Sequence, residues 1–161
     1  MAARVVAIVL LALVAVAVAW QWHADDTEAR DHMLTGLDPA AITHLDVSLR
    51  GFATQRFERR DDHWTADGAT PVDAGRVEEL AQLARTPVDA WKPSSDVDPT
   101  RIGLSPPTAV LTLDGTRLEF GDMTALGKRR YVRVGDRVAI VPAQALPRPP
   151  RMQALATSPG P

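Results

Sequence analysis

An unbroken apolar run near the amino terminus constrains this chain more than any other feature. It extends from Val5 to Ala19, follows Arg4, and is closed by Trp20-Gln21-Trp22. A bilayer core requires roughly 20 apolar residues at 1.5 Å rise each. The segment from Ala2 to Trp22 is just long enough, because the long side chain of Arg4 can extend to the membrane surface. We therefore predict a transmembrane signal anchor over residues 1–22.

The residues at the two ends of the run predict its orientation. Arg4 and the terminal amine form a positive flank, which stays on the cytoplasmic side. Trp20 and Trp22 lie where an aromatic belt contacts the far membrane surface. Arg4, Trp20 and Trp22 are thus the predicted membrane-interface residues. The sequence predicts a single-pass inner-membrane protein with a cytoplasmic N-terminus and a periplasmic domain.

A cleaved signal peptide is the alternative reading of the same segment. Ala17-Val18-Ala19 fits the small-x-small pattern of a cleavage site. The run continues to its aromatic end without a polar stretch before that site, which favours the uncleaved anchor. Both readings place everything after Trp22 outside the cytoplasm.

Composition excludes several classes of function. The 161 residues contain no cysteine, which rules out a disulfide scaffold, a zinc-thiolate site and a cysteine nucleophile. The net charge of −2 gives no electrostatic reason to expect a nucleic-acid partner. We expect no nucleic acid, no metal and no cofactor.

The exported part divides into three segments by composition. Residues 23–41, a polar and charged stretch to Met33 followed by a connector with Gly36 and Pro39, are predicted to be a juxtamembrane spacer. Residues 42–146 are predicted to form an α+β domain, and residues 147–161 a proline-rich disordered tail. The fold expected for the domain is a small, mostly antiparallel β-sheet with one covering helix.

Local patterns predict the elements of that domain. Alternating apolar residues predict a first strand over residues 43–49. Asp73 is positioned to cap a helix, and Asp114-Gly115 and Gly135-Asp136 to form tight turns between strands. The predicted core comprises Leu45, Val47, Leu49, Phe57, Trp64, Val77, Leu80, Val110, Leu118, Phe120, Val132, Val138 and Ile140.

Two groups of polar residues superficially resemble chemical sites but lack the spacing that such sites need. His44, Asp46 and Ser48 alternate along one strand face, where neighbours lie roughly 6.5–7 Å apart, beyond the hydrogen-bond reach that a triad needs. His23 and His32 stand among acidic residues of the spacer, without the short regular spacing of a metal site. We therefore predict no catalytic residues and a protein that is not an enzyme.

The densest basic cluster is the segment Lys128-Arg129-Arg130, which leads into a predicted strand. Along that strand Arg129, Tyr131 and Arg133 share one face, and Val132 and Val134 share the other. Tyr and Arg are residue types that often anchor protein interfaces. Arg129, Tyr131 and Arg133 are the predicted partner surface, with an ordinary solvated strand face as the alternative.

Three stretches of the chain together resemble a bacterial domain-of-unknown-function family. They are Trp64 followed by Pro71-Val72-Asp73 and the helix, Ile102-Gly103-Leu104-Ser105-Pro106-Pro107 before a strand, and Tyr131-Val132-Arg133 before the strand Val138 to Val141. That family includes membrane-anchored auxiliary components of gliding-motility-type ABC transporters. The resemblance implies a periplasmic domain behind an N-terminal helix, with no established catalytic residues.

These observations predict a non-enzymatic accessory protein that binds a partner protein, such as a transporter or another envelope complex. The alternative is a periplasmic ligand-binding domain, or an enzyme whose site is assembled from dispersed residues. A concave pocket with converging polar groups would favour the alternative.

Cell fractionation tests the predicted anchor. The full-length chain should sediment with membranes and resist extraction with alkaline carbonate, because a spanning helix is held by the hydrocarbon core. Recovery of a soluble form that begins near Trp20 would show instead that the segment is cleaved.

Overall fold

The computed structural model describes residues 32–67 and 70–149, with Val14 as a single further residue. The predicted anchor with Arg4, Trp20 and Trp22, most of the predicted spacer, and the tail beyond Pro149 lie outside this description. No helix within the described ranges is both long and apolar enough to span a membrane.

The described residues form one antiparallel sheet with an α-helix against one face. The strands lie in the order β4-β3-β2-β1-β6-β7-β8-β9-β5. Their bounds are β1 His44–Leu49, β2 Gln55–Arg60, β3 His63–Ala66, β4 Thr70–Pro71, β5 Ala90–Pro93, β6 Ala109–Leu113, β7 Thr116–Met123, β8 Arg129–Val134 and β9 Arg137–Pro142. The helix α1 spans Ala74–Gln82 and continues into a 3-10 turn at Leu83–Arg85. The prediction of an α+β domain with an antiparallel sheet and a helix on it is confirmed.

The helix forms as its sequence predicts. Asp73 accepts a hydrogen bond from the Arg76 amide, which satisfies a donor of the first turn. Val77, Leu80, Ala81 and Ala84 form an apolar stripe at helical spacing, and all four are buried. This stripe belongs to the hydrophobic core and defines which face of the sheet is inward.

The register of the sheet assigns every strand residue to one of two faces. Opposite residues of paired antiparallel strands project to the same side. One row of partners runs across five strands, from Leu49 through Ala109, Phe120 and Val132 to Ala139. These side chains belong to the core or pack against it. We call this side the inner face and the opposite side the outer face.

Most predicted core residues are buried, and three of them lie on the outer face. Leu45, Val47, Phe57, Trp64, Val77, Leu80, Leu118, Phe120, Val132 and Val138 are buried, and Leu49 packs against the core from a half-buried position. Val110, Val138 and Ile140 lie on the outer face, because they pair with Glu119, Arg133 and Tyr131 in that order. Val138 is buried there, outside the main core cluster, and the other two are half-buried. Leu111 and Val141 occupy the core positions instead.

The folded domain begins earlier than residue 42. Leu34 is buried in the core, and its amide bonds to the carbonyl of Thr86. The His32 carbonyl accepts a hydrogen bond from the Val88 amide, so the chain joins the domain beside the start of β5. The last part of the predicted spacer is therefore part of the domain, because it contributes a core side chain and backbone pairing. At the other end, Pro147 is buried, so the predicted tail also begins inside the fold.

The two ends of the sheet carry different loops. At one end β1 and β7 finish and β2, β6 and β8 begin; we call it the hairpin end, after the β7–β8 connection. The opposite end carries the tight turns at Asp61-Asp62, Asp114-Gly115 and Gly135-Asp136. Asp61, Asp62, Asp114 and Gly115 have φ between 43° and 86°, the left-handed region that such two-residue turns require.

A polar clamp fastens α1 to the sheet. The Arg59 guanidinium lies 4.6 Å from the centre of the Trp64 ring and donates to the Glu78 carboxylate and the Ala40 carbonyl. Trp64 Nε1 donates to the same carboxylate at 3.2 Å. The ring itself is buried.

Replacement of Trp64 measures this contact. Trp64→Ala removes the buried ring, its cation–π contact with Arg59 and its hydrogen bond to Glu78. It should lower the free energy of unfolding by about 3–5 kcal/mol. Trp64→Phe retains most of the apolar area and should cost about 1–2 kcal/mol. Urea unfolding of residues 23–161 followed by circular dichroism gives both values. A loss below about 1 kcal/mol for the alanine variant would show that the ring contributes little to the core.

Candidate functional site

Strand β8 presents the three residues predicted as a partner surface. Arg129, Tyr131 and Arg133 pair with Pro142, Ile140 and Val138 of β9. Because they alternate with Arg130 and Val132, their side chains project to the outer face. Arg129 is exposed, and Tyr131 and Arg133 are half-buried. The structure thus places all three on one face of one strand.

Arg133 is held by a carboxylate on the neighbouring strand. Glu119 of β7 lies directly opposite Arg133, and its side chain is only 12% exposed. One oxygen of Glu119 accepts from Arg133 Nε, and the other accepts from Arg117 Nε at 2.9 Å. A carboxylate shared by two guanidinium groups fixes all three side chains against the sheet.

Arg129 is also paired, with Asp89 of the segment that precedes β5. This ion pair connects the start of β8 to the place where the chain joins the domain, since Val88 bonds to the His32 carbonyl. About half of each side chain remains exposed. The partner surface is therefore a set of ordered, neutralised cations around an aromatic ring rather than a free positive patch.

Arg130 behaves differently from its neighbours in the basic cluster. It projects to the inner side, where it is buried and donates to the carbonyls of Gly121 and Ala143. Burial lowers the pKa of Arg130, and the nearby charge of Asp122 opposes that shift. This role escaped sequence reasoning, although Arg130 stands two residues before the core residue Val132 and therefore shares its face.

A segment between β5 and β6 covers part of the outer face. The Ile102 carbonyl accepts from the Asp122 amide at 2.8 Å, and Leu104 is buried outside the main core cluster. A Cβ at Gly121 would lie 2.4 Å from the Ile102 carbonyl oxygen and 3.1 Å from the Leu104 side chain. Gly121 is therefore required for this close approach. The cover leaves the outer surface of β8 beside it accessible at Arg129.

A small solvent-open cleft lies between α1 and the segment that follows β9. It is lined by Glu79, Leu80, Leu83, Gln144, Leu146 and Arg148. Within residues 32–67 and 70–149, no group of three or more His, Cys, Asp or Glu side chains is arranged to hold a metal ion. His44 of the rejected triad lies 2.9 Å from the Thr43 hydroxyl and 3.7 Å from the Asp114 carboxylate.

Comparisons of the chain with protein-family models, curated proteins and solved structures found no match.

The ion pairs of Glu119 predict a measurable coupling on this face. Glu119→Gln keeps the shape of the side chain but removes the charge that Arg133 and Arg117 share. We expect the free energy of unfolding to fall by about 1–2 kcal/mol, which is less than for a fully buried pair because Arg133 is partly solvated. Arg117→Ala, at a more exposed partner, should cost under about 0.5 kcal/mol. We expect Arg133, the less exposed of the two cations, to supply most of the interaction with Glu119. Equal losses in the two variants would show instead that Arg117 accounts for all of it.

Proposed function

We propose that this chain is a non-enzymatic accessory protein, tethered to the inner membrane by residues 1–22, whose periplasmic domain binds a partner protein in a transporter or another envelope complex. The observation that carries the proposal is the apolar run from Val5 to Ala19 with its Arg4 and tryptophan flanks. A folded domain joined to such a run by a short polar segment stays near the membrane surface, where it can meet partners that are themselves in the membrane.

The outer surface of β8 supports the choice of a protein partner. Tyr131 is flanked along the strand by Arg129 and Arg133, whose guanidinium groups are already ordered by Asp89 and Glu119. A side chain that is ordered before binding loses less conformational entropy on association. Strand positions also hold side chains more precisely than loops do. This face therefore suits recognition of a defined protein surface.

The edges of the sheet support side-chain docking over strand addition. One edge strand, β4, has two residues, one of which is Pro71 and has no amide hydrogen. The other edge strand, β5, contains Lys92 and Pro93. Short edge strands with proline and lysine discourage pairing with another chain.

A second candidate function is ligand binding at the cleft beside α1. Glu79 and Arg148 supply opposite charges at its rim, and Leu80, Leu83 and Leu146 supply apolar contacts. Charged and apolar groups of this kind can bind a small molecule, and the volume of about 180 Å³, below the roughly 300–1,000 Å³ of most ligand sites, restricts the cleft to a small one. A ligand that raises the melting temperature of the domain, and that no longer does so in Leu83→Lys, would favour this function.

Partner capture tests the proposed function and its surface together. Arg129→Ala combined with Tyr131→Ala should abolish recovery of the partner from detergent-solubilised membranes, because Tyr and Arg are the residue types that contribute most to interfaces. Quantitative mass spectrometry of the captured proteins gives the yield.

The matched control is Arg56→Ala combined with Thr65→Ala. Arg56 and Thr65 also lie on the outer face, because they pair with Asp46 and Glu58, but they belong to β2 and β3 at the far side of the sheet. The control should retain its partner at the unsubstituted yield. Equal recovery by both double variants would remove β8 as the docking surface.

A further inference from the structure

The large exposed apolar side chains of the domain lie at one end of the sheet. Within residues 32–67 and 70–149 they are Phe52, Leu126, Met123 and Met33, exposed by 73%, 87%, 54% and 37%. Phe52 follows the end of β1, Met123 ends β7, and Leu126 lies in the β7–β8 connection. Met33 pairs with Pro87, shortly before β5 begins. All four positions belong to the hairpin end.

Phe52, Met123 and Leu126 belong to neighbouring strand ends. Strands β1, β6, β7 and β8 are successive neighbours in the sheet, so their ends span about 15 Å at 4.8 Å between strands. The loop that carries Phe52 is tied to this end, because the Arg50 amide bonds to the carbonyl of Thr108, just before β6. A group of exposed apolar side chains on one end of a domain marks an interaction site.

The turns at the opposite end of the sheet carry exposed carboxylates. They belong to Asp61, Asp62, Asp114 and Asp136. The β7–β8 connection carries Lys128 two residues after its exposed Leu126, and Arg129 begins β8. Anionic lipid headgroups attract basic residues near the membrane and repel carboxylates. Within the described part of the domain, the large exposed apolar side chains thus mark the hairpin end, where Lys128 lies beside them, and none marks the opposite end.

The chain reaches the domain at the apolar, basic end. The Val88 amide bonds to the His32 carbonyl, and Asp89 forms the ion pair with Arg129 at the start of β8. From the predicted anchor, the ten peptide steps between Trp22 and His32 span at most about 36 Å. The chain from the predicted anchor therefore reaches the hairpin end first, and the aspartate turns lie a strand length further along the sheet.

The base of the β7–β8 connection is held firmly. Arg130 donates to the carbonyls of Gly121 and Ala143, and the Ala143 amide bonds to the Lys128 carbonyl. The Thr124 amide bonds to the Arg129 carbonyl, which closes the hairpin. Leu126 is thus presented on an ordered support. Of the two cations beside it, Arg129 is neutralised by Asp89, so Lys128 supplies the exposed charge.

We propose that the hairpin end is a second membrane contact, in which Phe52, Met123 and Leu126 enter the headgroup region of the periplasmic leaflet and Lys128 binds anionic headgroups. This inference rests on the proposed tether. It seats the domain with its strands pointing away from the bilayer and leaves the outer surface of β8 facing sideways along the membrane.

Site-directed spin labelling of the full chain tests the contact. The sequence contains no cysteine, so Phe52→Cys, Leu126→Cys and the matched control Ser95→Cys each label a single position. Ser95 is exposed and lies beyond β5 at the aspartate end. The probes are vesicles of phosphatidylethanolamine with phosphatidylglycerol and vesicles of phosphatidylcholine alone. Collisions with oxygen, which concentrates in lipid, are compared with collisions with a water-soluble nickel chelate.

The spin label should collide more often with oxygen at positions 52 and 126, and more often with the nickel chelate at position 95. Addition of Lys128→Glu should shift position 126 toward nickel in the phosphatidylglycerol vesicles and leave it unchanged in phosphatidylcholine. Preference for nickel at all three positions, in a chain that resists carbonate extraction, would overturn the contact and leave the tether intact. Release by carbonate would overturn both. Burial of position 126 in native membranes but not in pure lipid would show that a protein covers this end.

Discussion

The backbone pairing of residues 32–34 with residues 86–88 is the constraint that orients the rest of the molecule. The Leu34 amide bonds to Thr86, the Val88 amide bonds to His32, and Leu34 is buried in the core. Burial of a leucine stabilises this junction by about 1.5–3 kcal/mol. The junction therefore fixes where the chain joins the sheet. The directions of the strands and the position of the β7–β8 connection can therefore be described relative to this junction.

The helix determines which surface remains for binding. The apolar stripe of α1 and the clamp of Arg59, Trp64 and Glu78 commit the inner face to the core. The segment with Ile102 and Leu104 then covers part of the outer face, at Gly121. Strand β8 is left as an outer surface with an aromatic ring between two ordered guanidinium groups. The proposed docking surface is thus the part of the sheet that neither the helix nor the segment with Ile102 and Leu104 covers.

Local sequence patterns predicted the helix, the strands and the turns of this domain. The errors in the predicted core arose because the strand pairing that each turn imposes was not used to assign the faces of the strands. The Asp73 cap, the helix stripe and the turns at Asp114-Gly115 and Gly135-Asp136 depend on neighbouring residues and were correct. A two-residue turn at Asp114-Gly115 already pairs Leu111 with Leu118 and Val110 with Glu119, so Val110 could not share a face with Leu118. In the same way, the two-residue turn at Gly135-Asp136 pairs Val132 with Ala139, so Val138 and Ile140 lie on the opposite face from Val132. The ion pair of Arg129 with Asp89, and the cover over Gly121, join distant segments and had no local pattern to reveal them.

Photo-crosslinking at Tyr131 in native membranes tests the central claim, a tethered domain that docks through β8, most directly. A benzophenone amino acid replaces Tyr131 in one full-length chain and Arg56 in another, since both positions lie on the outer face at opposite sides of the sheet. The account predicts a discrete crosslinked species of higher mass at position 131 and none at position 56. The same products at both positions, or none at position 131 in a chain that sediments with membranes, would contradict it.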